Sequence, residues 1–239
     1  MKQPAFTNVE DAFVYCRDMD ASLNERLDIF SEASRALRPE GQEAIDHMVE
    51  RLSAYEAGAL APGPGDIMPP FALPDETGRV VTLDSLLAKG PVAVTFHRGH
   101  WCPYCRINTR VLADVHERII AEGASLVAIL PEREQFAAGL SAEAKLHYPI
   151  LCDLDNGYAL SINLAIYVGA ELQEMMTASG YDLPRYQGNN AWLLPIPATF
   201  VIGQDGRVVE RFIDPDYRKR MAEDDLLAAL RNVGRQAAD

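Results

Sequence analysis

The sequence predicts an α/β fold in which helices flank a mixed central sheet, with a helical extension in front of it. Three observations lead to this prediction. Residues 1–60 carry only the apolar spacing of amphipathic helices; apolar runs of strand length then alternate with helical segments; and a hairpin signal and a last helix close the chain. A breaker-rich linker around residues 61–65 separates the two regions. We therefore expect a helical extension over residues 1–60 and an α/β domain over residues 61–239.

The N-terminal extension is predicted to be a helical hairpin. One stripe of apolar side chains runs over residues 9–37 and a second over residues 45–55, and Pro39 ends the first unit. Nothing in these residues is typical of a catalytic site. Their apolar face should either pack against the main domain or pair with a second subunit as a homodimer, and the sequence favours neither outcome.

The elements of the α/β domain are predicted from the period of their apolar residues. Strands are expected where such residues run nearly without interruption, and helices where they recur every three or four positions. The predicted strands are residues 79–83, 92–96, 125–130 and 149–152, and the predicted helices are residues 84–89, 102–122, 132–147, 157–166, 170–179 and 223–233. Residues 199–202 and 207–212 are predicted to form a hairpin that turns at Asp205 and Gly206.

The composition disfavours several classes of partner. A net charge of −13 and a pI near 4.8 argue against nucleic acid and anionic membrane surfaces. The first residues include acids and no apolar stretch of signal-peptide length, and no segment approaches the length of a membrane span. We therefore expect a cytoplasmic protein that binds neither nucleic acid nor membranes.

The four cysteines are Cys16, Cys102, Cys105 and Cys152. In a cytoplasmic chain a close CxxC pair indicates redox or metal chemistry rather than a structural disulfide. Cys102 and Cys105 lie where a buried strand gives way to a helix, and the unpaired N–H groups and the dipole of a helix start stabilise a thiolate. Their spacing also lets a disulfide close across one turn, so we predict a redox-active dithiol. Cys16 and Cys152 are predicted to be small buried residues.

A zinc site is the alternative use of the CxxC pair. It would need two more ligands, and the sequence has no second CxxC. His97 and His100 complete the set only if four ligands crowd into nine residues across a strand end, which is an unusual geometry. We therefore expect no metal and no cofactor, and we interpret both histidines as polar neighbours of the dithiol. Trp101 offers an apolar shoulder to the site, and Tyr104 is expected to be an exposed spacer.

Three short segments carry a family resemblance. They are Gly65-Asp66, Pro69, Phe71, Leu73-Pro74-Asp75, Gly78, Val81 and Leu83; then residues 151–155; then residues 197–202 with Asp205-Gly206. Together they resemble the peroxiredoxins of the alkyl hydroperoxide reductase/thiol-specific antioxidant (AhpC/TSA) family over roughly residues 65–233. Residues 98–105, Arg-Gly-His-Trp-Cys-Pro-Tyr-Cys, are similar to a subgroup with a helical N-terminal extension. The resemblance implies a thioredoxin-like fold and thiol peroxidase activity.

The chain departs from the peroxiredoxin pattern around the dithiol. The family places a proline, a threonine or serine, and the peroxidatic cysteine at positions −7, −3 and 0. In that register Cys105 is the peroxidatic cysteine, Cys102 replaces the threonine and Arg98 replaces the proline. The arginine that the family carries on a later strand is Pro197 here. We hypothesise that Arg98 supplies the missing charge, because an arginine beside a thiolate favours the ionised form.

Pro197 supports a second register. Residues 196–199, Ile-Pro-Ala-Thr, resemble the cis-proline element that faces the CxxC pair in thioredoxins and glutaredoxins, so a cis peptide bond is expected before Pro197. In this register Cys102 attacks and Cys105 resolves, the opposite of the peroxiredoxin assignment. Thr199 lies close to Pro197. Either its hydroxyl faces the dithiol, or Thr199 is present only because threonine favours strand structure.

Three functions follow from these alternatives. The first is a thiol peroxidase, in which a peroxide oxidises one thiol and a thioredoxin- or glutathione-type donor restores the dithiol. The second is a thiol–disulfide oxidoreductase, because Cys-Pro-Tyr-Cys equals the active-site tetrapeptide of glutaredoxins. The third is a redox sensor, in which the dithiol changes partner affinity through the helical extension. We expect the first, whose substrate is a peroxide, whereas a disulfide would be the substrate of the second.

Overall fold

A five-stranded mixed sheet forms the centre of the fold in a computed structural model, which describes the backbone of residues 5–236 and the side chains of residues 5–233. The expected outer limits at residues 1 and 239 lie outside this range. The described strands are β1 (Ala72–Pro74), β2 (Val80–Thr82), β3 (Val92–Phe96), β4 (Ser125–Leu130), β5 (Ile150–Cys152), β6 (Ala165–Tyr167), β7 (Leu193–Pro195), β8 (Ala198–Ile202) and β9 (Val208–Ile213). The described helices are α1 (Val9–Asp18), α2 (Leu23–Leu37), α3 (Gln42–Ala54), α4 (Leu83–Leu87), α5 (Pro103–Ala121), α6 (Glu134–Ala144), α7 (Gly157–Ser161), α8 (Ala170–Ala178), α9 (Leu183–Gln187) and α10 (Glu223–Gln236).

The strand order of the central sheet is β5-β4-β3-β8-β9. β3, β4 and β5 run parallel, β8 runs antiparallel to β3, and β9 runs antiparallel to β8. Every residue of β3 is buried, because helices cover both faces of the sheet. α4 and α7 lie in the core on one face, and α5, α6 and α10 lie in the core on the other. The predicted mixed sheet with flanking helices is confirmed.

The N-terminal extension packs on α5 of the same chain. Phe13, Cys16, Leu27 and Phe30 share one buried cluster with the first turns of α5. The stripe over residues 9–37 forms two helices rather than one, because the Ser22 side chain accepts a hydrogen bond from the Glu25 N–H and starts α2 anew. Of the two expected outcomes for this stripe, packing against the main domain is therefore what the structure shows.

Phe30 is the central contact of this interface, and its replacement should be costly. Its ring is 1% exposed and meets Tyr104 edge-to-face with 5.1 Å between the centroids. We expect Phe30→Ala to lower the free energy of unfolding by about 3–5 kcal/mol, since a buried aromatic is replaced by a cavity. Tyr55→Ala, at a position that is 80% exposed, is the matched control and should change it by less than about 0.5 kcal/mol. Urea denaturation compares the two, and equal effects would contradict the packing described here.

The segment between β5 and β8 differs most from the prediction. The helix expected over residues 157–166 is wrong in its second half, because Asn163 adopts a left-handed conformation (φ 56°) and the chain then enters β6. β6 pairs antiparallel with β7, which the sequence did not predict, and β1 and α9 were also not expected. α8 confirms a predicted helix and packs its apolar face against α3. β6, β7, α8 and α9 share one hydrophobic cluster with α3 and with Trp101, which lies just before α5.

None of the helices in the described range combines the length and the apolar character needed to cross a lipid bilayer.

Candidate active site

The dithiol lies at the start of α5, directly after the central strand β3. Cys102 is the N-cap residue of α5 and Pro103 occupies its first turn, as predicted. Cys105 follows within that turn, and the Thr109 hydroxyl donates to its carbonyl oxygen at 2.8 Å. Both cysteines are free thiols, and their exposed fractions are 1% and 0%. Although the pair lies at the start of a helix, neither sulfur is open to solvent.

Cys105 is held in surroundings that favour its thiolate. The backbone N–H of Arg98 and the guanidinium Nη2 of Arg220 both donate to its Sγ at 3.4 Å. Burial opposes ionisation, yet the neighbouring Cys102 thiol, the Arg220 guanidinium and His97 together hold the pKa of Cys105 well below its usual range. His97 is fully buried, and its ring pairs with the Thr95 hydroxyl at 3.1 Å.

Cys102 behaves in the opposite way. Its burial, and then its contact with the Cys105 sulfur, raise the pKa of Cys102 well above the usual value, and the more distant charges of Arg98 and Arg220 lower it less. Two thiols in one helical turn cannot both ionise cheaply, so one keeps its proton and donates it to the other. The surroundings therefore favour the thiolate at Cys105 and the protonated thiol at Cys102.

The loop between β3 and α5 is fixed by a buried carboxylate. Glu132 is 0% exposed; it accepts the backbone N–H of His100 at 2.8 Å and pairs with the His100 Nδ1 at 2.8 Å. Gly99 adopts φ 147°, and a Cβ there would lie 2.4 Å from the Trp101 Nε1 and 2.7 Å from a Glu132 oxygen. Only glycine fits this close approach. His100 thus supports the loop, and His97, rather than His100, lies against Cys105.

Comparison with known proteins places this site in a family. The profile of the AhpC/TSA family matches residues 64–211, which include the dithiol and the whole central sheet except the last two residues of β9. The chain belongs to the AhpC/TSA family. The resemblance drawn from the three sequence segments is therefore confirmed, and the matched range begins after the N-terminal helices and ends before α10.

Individual relatives within and around the AhpC/TSA family are distant. A Mycobacterium tuberculosis protein with the provisional name peroxiredoxin is 25% identical over 170 residues, which are 71% of this chain and 96% of its own length. The thiol-disulfide oxidoreductase ResA of Bacillus subtilis is 23% identical over 159 residues, 66% of this chain and 72% of its own. The crystal structure of peroxidoxin BcpB from Mycobacterium tuberculosis superposes with a TM-score of 0.56 at 24% identity, over 72% of this chain and 97% of that one. This last likeness shows that the thioredoxin-like fold is shared.

Arg220 is the main site residue that sequence reasoning missed. It lies between β9 and α10, beyond the range matched by the AhpC/TSA profile. Its Nη1 donates to the carbonyl oxygens of Tyr217 and Lys219, which aims the remaining Nη2 at Cys105. The sequence offers only a short basic run at residues 218–220, a pattern that is usually a solvated surface. Arg220 is only 4% exposed, so burial rather than sequence reveals its role.

The side chain of Arg98 packs against two aromatic rings beside the dithiol, and the hypothesis that it supplies the missing charge stays a prediction. Its guanidinium lies 3.9 Å from the ring centroid of Tyr217 and 5.1 Å from that of Trp101, a cation–π arrangement. Only its backbone N–H donates to Cys105. The guanidinium that donates to Cys105 belongs to Arg220, and the charge of Arg98 acts on Cys102, whose pKa it lowers.

Thr199 lies on β8, the strand that pairs with β3, and Pro197 directly precedes β8. The expectation of a cis bond is wrong: the Ile196–Pro197 bond is trans, like the other peptide bonds of the described residues. Pro197 precedes Ala198, which pairs with Phe96, so Pro197 continues the register next to His97. Thr199 pairs with Thr95 and is buried, but it is not one of the hydrogen-bond donors to Cys105.

Tyr104 is not the exposed spacer that the sequence predicts. It is 6% exposed, because Phe30 of the extension and Tyr217 of the last loop pack edge-on against its ring. Cys16 and Cys152 are buried as predicted, and burial raises their pKa values to about 11 and about 12. The pKa values of both thiols are thus raised, whereas that of Cys105 is lowered.

A small cavity of about 120 Å³ reaches the dithiol from one side. Cys102 lines this cavity and Cys105 does not. Trp101, Tyr181 and Met176 form its apolar walls, and Trp101 packs against Tyr181 with 5.3 Å between ring centroids. The site therefore presents Cys102, whose pKa is raised, to the cavity and keeps Cys105, whose pKa is lowered, behind it.

Proposed function

We propose that this member of the AhpC/TSA family is a thiol-dependent peroxidase that reduces hydrogen peroxide or organic hydroperoxides through a Cys102/Cys105 dithiol–disulfide cycle. The observation that carries the proposal is the buried Cys105 sulfur with two N–H donors, from Arg98 and Arg220, at 3.4 Å. A thiolate is the nucleophile that peroxide reduction needs. The family membership and the provisional peroxiredoxin name of the Mycobacterium tuberculosis relative support the same activity.

The first step is attack by the Cys105 thiolate on one peroxide oxygen. A sulfur–oxygen bond forms, the oxygen–oxygen bond breaks, and the second oxygen leaves as hydroxide or alkoxide, which takes up a proton. The sulfur is oxidised to a sulfenic acid and the peroxide is reduced to water or alcohol. The Arg220 guanidinium, already placed at the sulfur, stabilises the negative charge that moves from sulfur to the leaving oxygen.

The second step closes the disulfide within one helical turn. The Cys102 sulfur attacks the Cys105 sulfenic acid, a sulfur–sulfur bond forms, and the hydroxyl group leaves as water with the Cys102 proton. Because both cysteines lie at the start of α5, this step needs no distant resolving cysteine. In this assignment Arg98 and Trp101 shape the site from the loop side, Thr199 supports it from β8, and Pro197 supports it from the residue before β8.

A thiol–disulfide oxidoreductase is the second candidate, and the cavity favours it. Cys102 is the sulfur that lines the cavity, as the first cysteine of a CxxC pair does when it exchanges disulfides with a substrate. The oxidoreductase ResA is also among the relatives, at 23% identity. Against this stands the direction of the pKa values, because ionisation is favoured at Cys105 and disfavoured at Cys102.

One experiment separates the two candidates. The reduced protein is mixed with hydrogen peroxide or with oxidised glutathione in a stopped-flow instrument. Oxidation is followed by Trp fluorescence, because Trp101 is the residue next to Cys102. We expect a peroxide rate constant far above that of free cysteine and a slower reaction with oxidised glutathione. The Cys102→Ser/Cys105→Ser double variant is the blank. A peroxide rate no faster than free cysteine would refute the peroxidase proposal.

Two organisational predictions belong to this proposal. We place the boundary between the helical extension, residues 1–60, and the thioredoxin-like domain, residues 61–239, in the linker before the family match. We also place the protein in the cytoplasm, because a cycle that ends in a free dithiol needs a reducing compartment.

A homodimer through the N-terminal helices stays a prediction, and the apolar surface left for it is smaller than the sequence suggested. Most of the apolar stripe is covered by α5, and α1 leaves Val14 and Tyr15 exposed by 39% and 42%. If the dimer uses this surface, Tyr15→Asp should convert it to monomer, since a charge is desolvated in an apolar contact. Light scattering of the intact chain and the variant measures this, with Tyr55→Asp as the control. A monomeric intact chain would reject the dimer.

A further inference from the structure

We infer that the oxidised dithiol is reduced by a low-molecular-weight thiol that enters the cavity at Cys102, and not by the dithiol of a protein reductant. The inference rests on the proposed dithiol–disulfide cycle and names the partner that completes it. It follows from three features of the described residues: the depth of the sulfurs, the size of the cavity, and the charges at its mouth.

The depth of the sulfurs works against a protein reductant. A reducing thiolate must come within bonding distance of the sulfur that it attacks. Cys102 and Cys105 are 1% and 0% exposed, beneath Phe30, Tyr104 and Tyr217. A cysteine on the surface of a folded protein cannot reach that depth while α1 and α2 remain packed on α5.

The cavity suits the arm of a small thiol. Its volume is about 120 Å³, and Trp101 and Met176 line it together with the buried Arg98. An apolar cavity of about 150 Å³ is large enough for benzene, so a cysteinyl side chain fits here whereas a folded domain does not. Cys102 lines the cavity, which places the sulfurs in the order cavity, Cys102, Cys105. An incoming thiolate therefore meets Cys102 first.

The mouth of the cavity carries charges of both signs. Arg38 and Glu40, in the connection between α2 and α3, are exposed and line the rim, and Gln42 completes it. A small peptide thiol of the glutathione type carries carboxylates and an ammonium group, which these side chains can pair with while the thiol arm points inward. An uncharged thiol such as 2-mercaptoethanol gains nothing from such a rim.

The exchange chemistry fits the electrostatics of the pair. The small thiolate attacks the Cys102 sulfur, a mixed disulfide forms there, and the bond to Cys105 breaks with its electrons going to the Cys105 sulfur. Thiols of low pKa leave faster, and Cys105 is the thiol whose pKa is lowered. A second small thiolate attacks the sulfur of the first, and the small disulfide departs. Cys102 then takes up a proton, which its raised pKa favours.

The test begins from protein oxidised with diamide, so that it does not depend on peroxidase activity. Reduction is followed by Trp fluorescence with glutathione, with thioredoxin plus its reductase and NADPH, and with 2-mercaptoethanol. We expect glutathione to restore the dithiol, and thioredoxin to react no faster than 2-mercaptoethanol at equal thiol concentration. Faster reduction by thioredoxin would overturn the inference, because it would mean that the extension opens for a protein.

Rim variants make the test specific. Arg38→Ala and Glu40→Ala should each slow reduction by glutathione about two- to fivefold, the loss of one exposed charge contact. Both should leave reduction by 2-mercaptoethanol unchanged. Arg118→Ala, near the far end of α5 and 57% exposed, is the matched control. Equal rates for glutathione in all three variants would refute the role of the rim.

Trapping locates the sulfur that receives the thiol. In Cys105→Ser the mixed disulfide cannot be resolved, so diamide and glutathione should leave one glutathione on Cys102, seen by intact mass and peptide mapping. Cys102→Ser should carry none at Cys105, which does not line the cavity and lies behind position 102, where a molecule of the size of glutathione has no room. Modification of Cys105 instead of Cys102 would overturn the proposed order of the sulfurs.

Discussion

Replacing Cys105 by serine is expected to abolish peroxide consumption, whereas replacing Cys102 by serine leaves the first attack intact. In Cys105→Ser the introduced hydroxyl is not ionised near neutral pH, so no comparable nucleophile remains beside Arg220. In Cys102→Ser the Cys105 thiolate still forms a sulfenic acid, which no neighbouring thiol can condense with. One equivalent of peroxide should be consumed without turnover. Dimedone labelling and intact mass detect the sulfenic acid, and a coupled assay measures turnover.

Cys152→Ser is the control for this pair. Cys152 lies on β5 in the core between the sheet and its helices, and burial raises its pKa to about 12. Its substitution should leave unchanged both the formation of the sulfenic acid at Cys105 and the turnover of peroxide. The opposite pattern, with a sulfenic acid in Cys105→Ser and none in Cys102→Ser, would assign the attack to Cys102. The site would then work in the thioredoxin register, and the proposed first step would be wrong.

The central sheet could be predicted closely from the sequence. β3 and β4 begin and end at the residues expected for them, because strands covered on both faces are apolar at nearly every position. The start of α5 was equally clear, since Pro103 and the CxxC pair mark a helix N-terminus. These features are local, and the information that specifies them lies within a few residues.

The parts that could not be predicted depend on contacts between distant segments. Arg220 and Cys105 are 115 positions apart in the sequence, and no motif near either residue predicts their contact. Tyr104 is buried only because Phe30 and Tyr217 cover it. The strand β6 forms because β7 is available to pair with it, although its own residues continue a helical pattern. Pro197 looked like a cis-proline from a four-residue resemblance, and the bond is trans.

Removing the guanidinium of Arg220 should shift the pH dependence of peroxide reduction to higher pH. The thiolate is the reactive form, so the rate falls as the pH drops through the pKa of Cys105. Arg220 lowers that pKa, and in Arg220→Met the pKa rises and the fall begins at a higher pH. A lost hydrogen bond to a charged group costs about 1.5–3 kcal/mol, so we expect the profile to move by roughly one to two pH units, with a roughly ten- to hundredfold lower rate on its acid side. Stopped-flow rate constants measured from pH 4 to pH 9 give the profile.

Two further variants show that the guanidinium at the sulfur, and not the basic segment in general, produces this shift. Arg218→Met removes a neighbouring guanidinium that pairs with Asp216 and does not donate to Cys105, so its profile should match that of the intact chain. Arg220→Lys keeps the positive charge and should recover part of the rate. If Arg220→Met slowed the reaction equally at every pH, Arg220 would stabilise the leaving oxygen without tuning the thiol. If Arg98→Met shifted the profile and Arg220→Met did not, the charge that matters would be the one stacked on Tyr217 and Trp101.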